Sequence, residues 1–160
     1  MRKVTSTTDL PCSIDKFWEV FFDEAYNRAF YLEEMGFPEL KILEQTDSSR
    51  RIRAIPKLDM PKPVMKVLGD RFAYEEDGSL DRATNTWRWK MIPSTLPDKL
   101  LTSGVIRVEA QGDGIRRFDE ATLEAKIFGV GKLIESSTEK EVRGAWEKEA
   151  AFLRRWLKDH

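Results

Sequence analysis

The feature that most constrains the fold is the segment Lys132–His160. It follows a Gly129-Val130-Gly131 break and carries Val142, Ala145, Trp146, Glu149, Phe152, Leu153, Trp156 and Leu157 at spacings of three and four. That period predicts one long amphipathic helix. Lys140, Glu141, Arg143, Glu147, Lys148, Arg154 and Arg155 fill the opposite face. At roughly 1.5 Å per residue the helix is about 40 Å long, the width of a small domain. Two indoles and a phenyl ring along one stripe need a broad apolar partner, and nearly all the upstream sequence that could supply one reads as strand.

The upstream pattern supports this. Residues 2–10 are β-prone and end at Leu10-Pro11. Ser13 suits a helix N-cap, and Ile14 to Asp23 is densely apolar, which suggests a helix wedged between the sheet and another element. A second short helix spans Glu24 to Met35, with Gly36 as its stop. Short strands then flank a Thr46-Asp47-Ser48-Ser49 turn, carrying Leu40 and Ile42 on one side and Ile52 and Ala54 on the other. Residues 59–69 read as a loop with one or two helical turns. Strands are expected at 71–77, 82–92, 100–111 and 115–128. The expected breaks are Asp77-Gly78-Ser79, Pro93 to Pro97 and Gly112-Asp113-Gly114.

The order is strand, two helices, about six strands and a long helix. This is α+β, with helices segregated from an antiparallel sheet. Strands do not alternate with helices, which argues against a doubly wound fold. An α+β barrel of the nuclear-transport-factor type would open with helices. With 160 residues and no linker or repeat, one domain covers 1–160.

Composition excludes several function classes. Net charge is −1, so no overall field favours nucleic acid, and the Arg50-Arg51-Ile52-Arg53 and Arg116-Arg117 runs read as solvated strand faces. The single cysteine, Cys12, rules out an internal disulfide and a cysteine-rich metal site. It lies near a helix start, which can lower a thiol pKa, but no partner base is evident. The only histidine is the terminal His160, which argues against histidine-based nucleophilic or metal chemistry. No cofactor is implied. Gly129-Val130-Gly131 lacks the remaining residues of a phosphate loop and reads as a tight strand-to-helix turn. No apolar run is long enough to span a membrane, and the N-terminus lacks a signal-peptide core, so a cytoplasmic location is the default expectation.

The informative positions are aromatic and inward-facing. Alternation puts Trp87, Trp89 and Met91 on one face of their strand, against Arg88 and Lys90 on the other. Phe72 and Tyr74, with Ile106 and Val108, would extend that wall, and Trp146 and Phe152 of the terminal helix would oppose it. Val64, Met65 and Leu68 would stand at a mouth. Such a sheet either packs as a simple core or encloses a cavity. Arg117 and Asp119 share the register of Ala121 and Leu123, and Glu149 lies within the apolar stripe of the helix. These charges either pair as Arg117–Glu149 or Arg117–Asp119, or escape to solvent through a bulge or domain edge.

Several strings resemble the START superfamily, also called SRPBCC, with its birch-pollen-allergen-like helix-grip fold. They are the opening strand with Leu10-Pro11, Ser13-Ile14-Asp15-Lys16-Phe17-Trp18, Trp87-Arg88-Trp89, Gly104-Val105-Ile106-Arg107-Val108 and Phe152-Leu153-Arg154-Arg155-Trp156-Leu157. Ile127 to Glu135 is similar to the strand–helix join of a poorly characterised bacterial branch. The resemblance implies a curved antiparallel sheet wrapped around a long C-terminal helix, with a large cavity between them. The superfamily holds lipid carriers, hormone receptors, polyketide cyclases and co-chaperone-like proteins, so the fold alone selects no function.

Three functional readings follow. The first is non-catalytic: a carrier or sensor of a hydrophobic or lipid-like small molecule, contacted by Trp87, Trp89, Met91, Phe72, Tyr74, Ile106, Val108 and Trp146, with Arg117 or Glu149 orienting a polar end. The second is an enzyme on a hydrophobic substrate, such as a polyketide cyclase, which needs convergent buried acid–base groups. The third is an interaction module with an open apolar groove and a collapsed interior.

Overall fold

The computed structural model describes all residues, Met1–His160. Seven antiparallel strands form one sheet: β1 (Arg2–Leu10), β2 (Glu39–Gln45), β3 (Ser49–Ile55), β4 (Tyr74–Asp81), β5 (Thr86–Pro93), β6 (Leu100–Gln111) and β7 (Gly114–Ala125). The spatial order is β1-β7-β6-β5-β4-β3-β2. From β2 to β7 the sheet is a meander, and β1 closes onto β7. Helices α1 (Ile14–Phe22) and α2 (Glu24–Arg28) follow β1, and α2 continues as a π-helical turn over Ala29–Glu34. Helix α3 (Lys62–Leu68) interrupts the meander, and α4 (Gly131–Asp159) ends the chain. This is the helix-grip architecture.

Local chemistry explains the elements. The Ser13 hydroxyl accepts from Lys16 N at 3.1 Å, capping α1. The Asp23 carboxylate accepts from Ala25 N at 2.8 Å and starts α2. Gly129, at φ +84°, makes the turn into α4, as the sequence suggests. Helix α4 runs alongside β1. Arg2 pairs with Glu139 at 3.2 Å near one end, and Arg154 donates to Asp9 O at 3.0 Å near the other.

The main core lies between α1 and the sheet. Phe17, Trp18 and Val20 of α1 bury against Trp87, Ile106, Val108 and Ile115, with Leu153 of α4 closing the far side. The wedged position expected for α1 is the one observed. Helix α4 itself is less buried than an ordinary core helix, and only Gly131, Ile134 and Leu153 are fully covered. Val142, Ala145, Trp146 and Glu149 face open space instead.

Five sequence expectations need correction. Asp77-Gly78-Ser79 is not a turn: β4 runs through it, and the turn lies at residues 82–85. A Cβ on Gly78 would collide with the Trp87 indole, so glycine serves packing there, not chain reversal. The last strand ends at Ala125, not 128, and Phe72 precedes β4 instead of lying in a strand. The Arg50–Arg53 run is not wholly solvated, because Arg50 is 5% exposed. Nor is the second basic pair: Arg117 is equally buried, while Arg116 stays at the surface and pairs with Asp9 at 2.8 Å. No helix is long and apolar enough to cross a membrane.

Candidate functional site

Strand pairing sets the register of the concave face. One row runs Arg50, Gly78, Trp89, Gly104, Ala121 and Val4 across β3, β4, β5, β6, β7 and β1. Residues paired across strands share a face, so each of these points inward. The next row holds Ile52, Glu76, Met91, Thr102 and Leu123. Large indoles alternate with glycines. Trp87 covers Gly78, and Trp89 covers Gly104. This arrangement admits two tryptophans side by side without forcing α4 away from the sheet.

The space left between sheet and α4 is a cavity of about 260 Å³. Trp87, Trp89, Met91, Phe72, Tyr74, Ile106, Arg117, Trp146 and Glu149 line it, so nine of the ten residues singled out in the sequence meet there. Val108 does not, because it is buried beneath α1 in the main core. Phe152 also lies away from it, stacked among Tyr26, Phe30 and Trp156. Val64 and Met65 are absent from the lining. Leu68 contributes together with Leu58 and Met60 of the preceding connection. Lys57, also in the lining, is exposed, so the cavity reaches solvent there.

The charges form a defined network. Arg117 Nε and Nη2 donate to Asp119 Oδ2 and Oδ1 at 2.8 and 2.9 Å. Arg117 Nη1 reaches Glu149 Oε1 at 2.9 Å, and Tyr26 Oη donates to Glu149 Oε2 at 3.3 Å. Both pairings considered from the sequence therefore coexist, and the solvated alternative is excluded by 5% exposure of Arg117 and Asp119. The surrounding carboxylates hold the Arg117 guanidinium firmly protonated against burial. Burial and the neighbouring Glu149 carboxylate push the Tyr26 hydroxyl up, which keeps it a donor.

Sequence reasoning missed a second polar group. Arg50 and Glu76 line the cavity beside Tyr31 and Tyr74. Burial raises the Glu76 carboxyl above the usual carboxylate range, against the pull of Arg50 and with help from Glu149. Burial also raises both tyrosines, so they stay protonated. The available signal was alternation: Arg50 shares its face with Ile52 and Ala54. Cys12 is buried, and burial pushes its thiol up, against a reactive role. His160 stacks on Trp156 at 3.8 Å, away from the cavity lining.

Chemically, the site offers an indole wall, an ion cluster of one arginine and two carboxylates, and acid–base groups out of bulk water. Solved structures share the fold that carries this site. Norcoclaurine synthase from Thalictrum flavum aligns with a TM-score of 0.70 at 16% identity, covering 99% of this chain and 87% of that one. A further structure of that enzyme holds dopamine and hydroxybenzaldehyde. The Zhui aromatase/cyclase from Streptomyces sp. R1128 aligns at 0.68 with 14% identity, covering 98% and 93%. Ara h 8.0201 aligns at 0.65 with 12% identity, covering 95% and 97%. These likenesses show the helix-grip fold. No curated protein matches the sequence. The model of the family described as "Protein of unknown function (DUF2505)" matches residues 5–157, and the chain belongs to that family.

Proposed function

We propose that this protein is a carrier or sensor that encloses a hydrophobic small molecule between the sheet and α4. The observation carrying this reading is the cavity of about 260 Å³ between the sheet and α4. Ligand sites are typically concave, mostly apolar and equipped with a few placed polar groups. Trp87, Trp89, Met91, Phe72, Tyr74 and Trp146 supply the apolar surface, and the Arg117–Asp119–Glu149 cluster supplies a polar end. A similar fold holding two small aromatic molecules adds support. The test is titration with an environment-sensitive apolar dye, followed by quenching of tryptophan emission. Saturable binding is expected. No saturable binding of any dye or amphiphile would overturn the reading. Native mass spectrometry of freshly purified protein would detect a resident molecule directly.

A second reading is an enzyme on a hydrophobic substrate. It is favoured by Glu76, a carboxyl raised by burial in the cavity wall beside Tyr31 and Tyr74, and by two enzymes among the similar folds. A raised carboxyl can serve as a general acid near neutral pH. Chemical change of a bound polyketide-like probe, lost in Glu76→Gln with binding retained, would establish it. The interaction-module reading required a collapsed interior, and the cavity counts against it.

A further inference from the structure

The cavity contains one guanidinium that no carboxylate neutralises. Arg50 reaches inward from β3 and is 5% exposed. Its Nη1 donates to the main-chain oxygen of Phe21 at 2.6 Å. The ring centroids of Phe21, Phe22 and Trp87 lie 4.6, 5.7 and 5.6 Å from its guanidinium carbon. Arginine carries five N–H donors, and this hydrogen bond uses one. Arg117 is the opposite case, with two carboxylates on three of its donors.

Glu76 is the nearest acidic candidate on the sheet. It stands diagonally across the β3–β4 pair, since Ile52 faces Glu76 and Arg50 faces Gly78. It does not come within ion-pair distance of Arg50. Burying a cation without a counter-charge is costly, and aromatic faces offset only part of that cost. The remaining donors of Arg50 face the cavity, where a ligand can meet them.

We propose that Arg50 is an anion-binding subsite, and that the ligand is an amphiphile ending in a carboxylate. This rests on the cavity-binding reading above. A single negative charge on the ligand supplies the direct partner that Arg50 lacks. Arg117 is held by both Asp119 and Glu149, a trio whose formal charges sum to −1, whereas Arg50 has no carboxylate within ion-pair distance. The net negative charge of that trio repels a doubly charged phosphate more than a carboxylate. A planar carboxylate also matches the guanidinium fork, accepting two parallel hydrogen bonds. The apolar part would then lie along Trp87, Trp89 and Met91, which continue from Arg50 across the concave face. Glu76, when protonated, donates to the same anion instead of repelling it.

The experiment titrates tryptophan emission with 2-naphthylacetate, its neutral isostere 2-naphthylacetamide and 2-naphthyl phosphate. Wild type should bind the carboxylate about tenfold tighter than the amide, as expected for one charge-assisted site. It should bind the phosphate less tightly than the carboxylate. Arg50→Gln should bring the carboxylate down to the amide's affinity and leave the amide unchanged. Arg50→Lys, which keeps the charge without the fork, should fall between them. Amide binding with no carboxylate preference in wild type overturns this inference and leaves the cavity-binding reading standing. A folded Arg50→Gln protein that keeps the preference overturns it too. Binding of none of the three probes overturns both. If Arg50→Gln fails to fold, Arg50→Lys still reads out the fork, and a wild type with no carboxylate preference still overturns the inference.

Discussion

Arg117 of β7 and Glu149 of α4 meet at 2.9 Å inside the cavity, the contact that ties the charge of the sheet to the charge of the helix. Arg117 also holds Asp119 through two hydrogen bonds. Removing the arginine leaves two carboxylates facing each other out of water. Arg117→Met should therefore destabilise by about 3–5 kcal/mol. Glu149→Gln leaves the Arg117–Asp119 fork intact and should cost less, about 1–3 kcal/mol. Chemical denaturation of the two variants would show that order, and equal losses would contradict it.

The Glu76 carboxyl gives a pH signature. Burial raises it above its unfolded value, and the groups around it are Arg50 on β3, Glu149 on α4, and Tyr31 and Tyr74. The folded state then holds a proton that the unfolded state has released. That contribution is complete below the unfolded value of about 4.3 and is lost as pH rises through the folded value. Glu76→Gln keeps a neutral polar group at every pH. Its melting temperature should match wild type near pH 4 and exceed it at pH 7. A variant less stable than wild type at pH 7 would count against a raised carboxyl.

Gly104 lies beneath Trp89. An added Cβ would meet the indole and, at 2.5 Å, the main-chain oxygen of Glu120, which cannot move aside. Gly104→Ala should cost about 1–3 kcal/mol through overpacking. It should also shift tryptophan emission, because Trp89 must leave its place in the wall. An unchanged spectrum would mean that the indole does not rest there.

Truncation after Gly131 removes Ile134, Trp146, Leu153 and Trp156 from the interior side of the sheet. Fully burying one such side chain stabilises by roughly 1.5–3 kcal/mol. A domain's net stability is only about 5–15 kcal/mol. The truncated chain should show no cooperative melt by circular dichroism. A cooperative transition near the full-length temperature would refute this.

The fold was legible because its two periods are. The three-and-four spacing from Val142 to Leu157 marks α4, and two-residue alternation in Trp87–Met91 orients β5. What misled was local chemistry with a distant cause. Asp77-Gly78-Ser79 has turn composition, yet Gly78 is glycine because Trp87 occupies the space above it. The real turn at Arg82–Asn85 is marked by an Asp81 carboxylate accepting from Ala83 N at 2.9 Å and by Asn85 at φ +51°. Arg50 was hidden among three exposed-looking arginines, because charge suggests solvent more strongly than a short alternation suggests burial. Val108 was placed in the cavity wall because alternation gives a face but not what covers it, and α1 covers that end of β6.

The pairing of indoles with glycines separates two kinds of information. Trp87 and Trp89 are seated by Gly78 and Gly104, so the contour of the indole pair on the sheet is written in β4, β5 and β6. Glu149 sits on a helix from a different stretch of chain. Substitutions at Glu149 can therefore retune the charge that the helix turns to the cavity while the indole contour of the sheet stays as it is. A change at Gly104 would reshape the contour and leave the charge of the helix alone. A lineage carrying this fold can vary those two traits independently, one residue at a time.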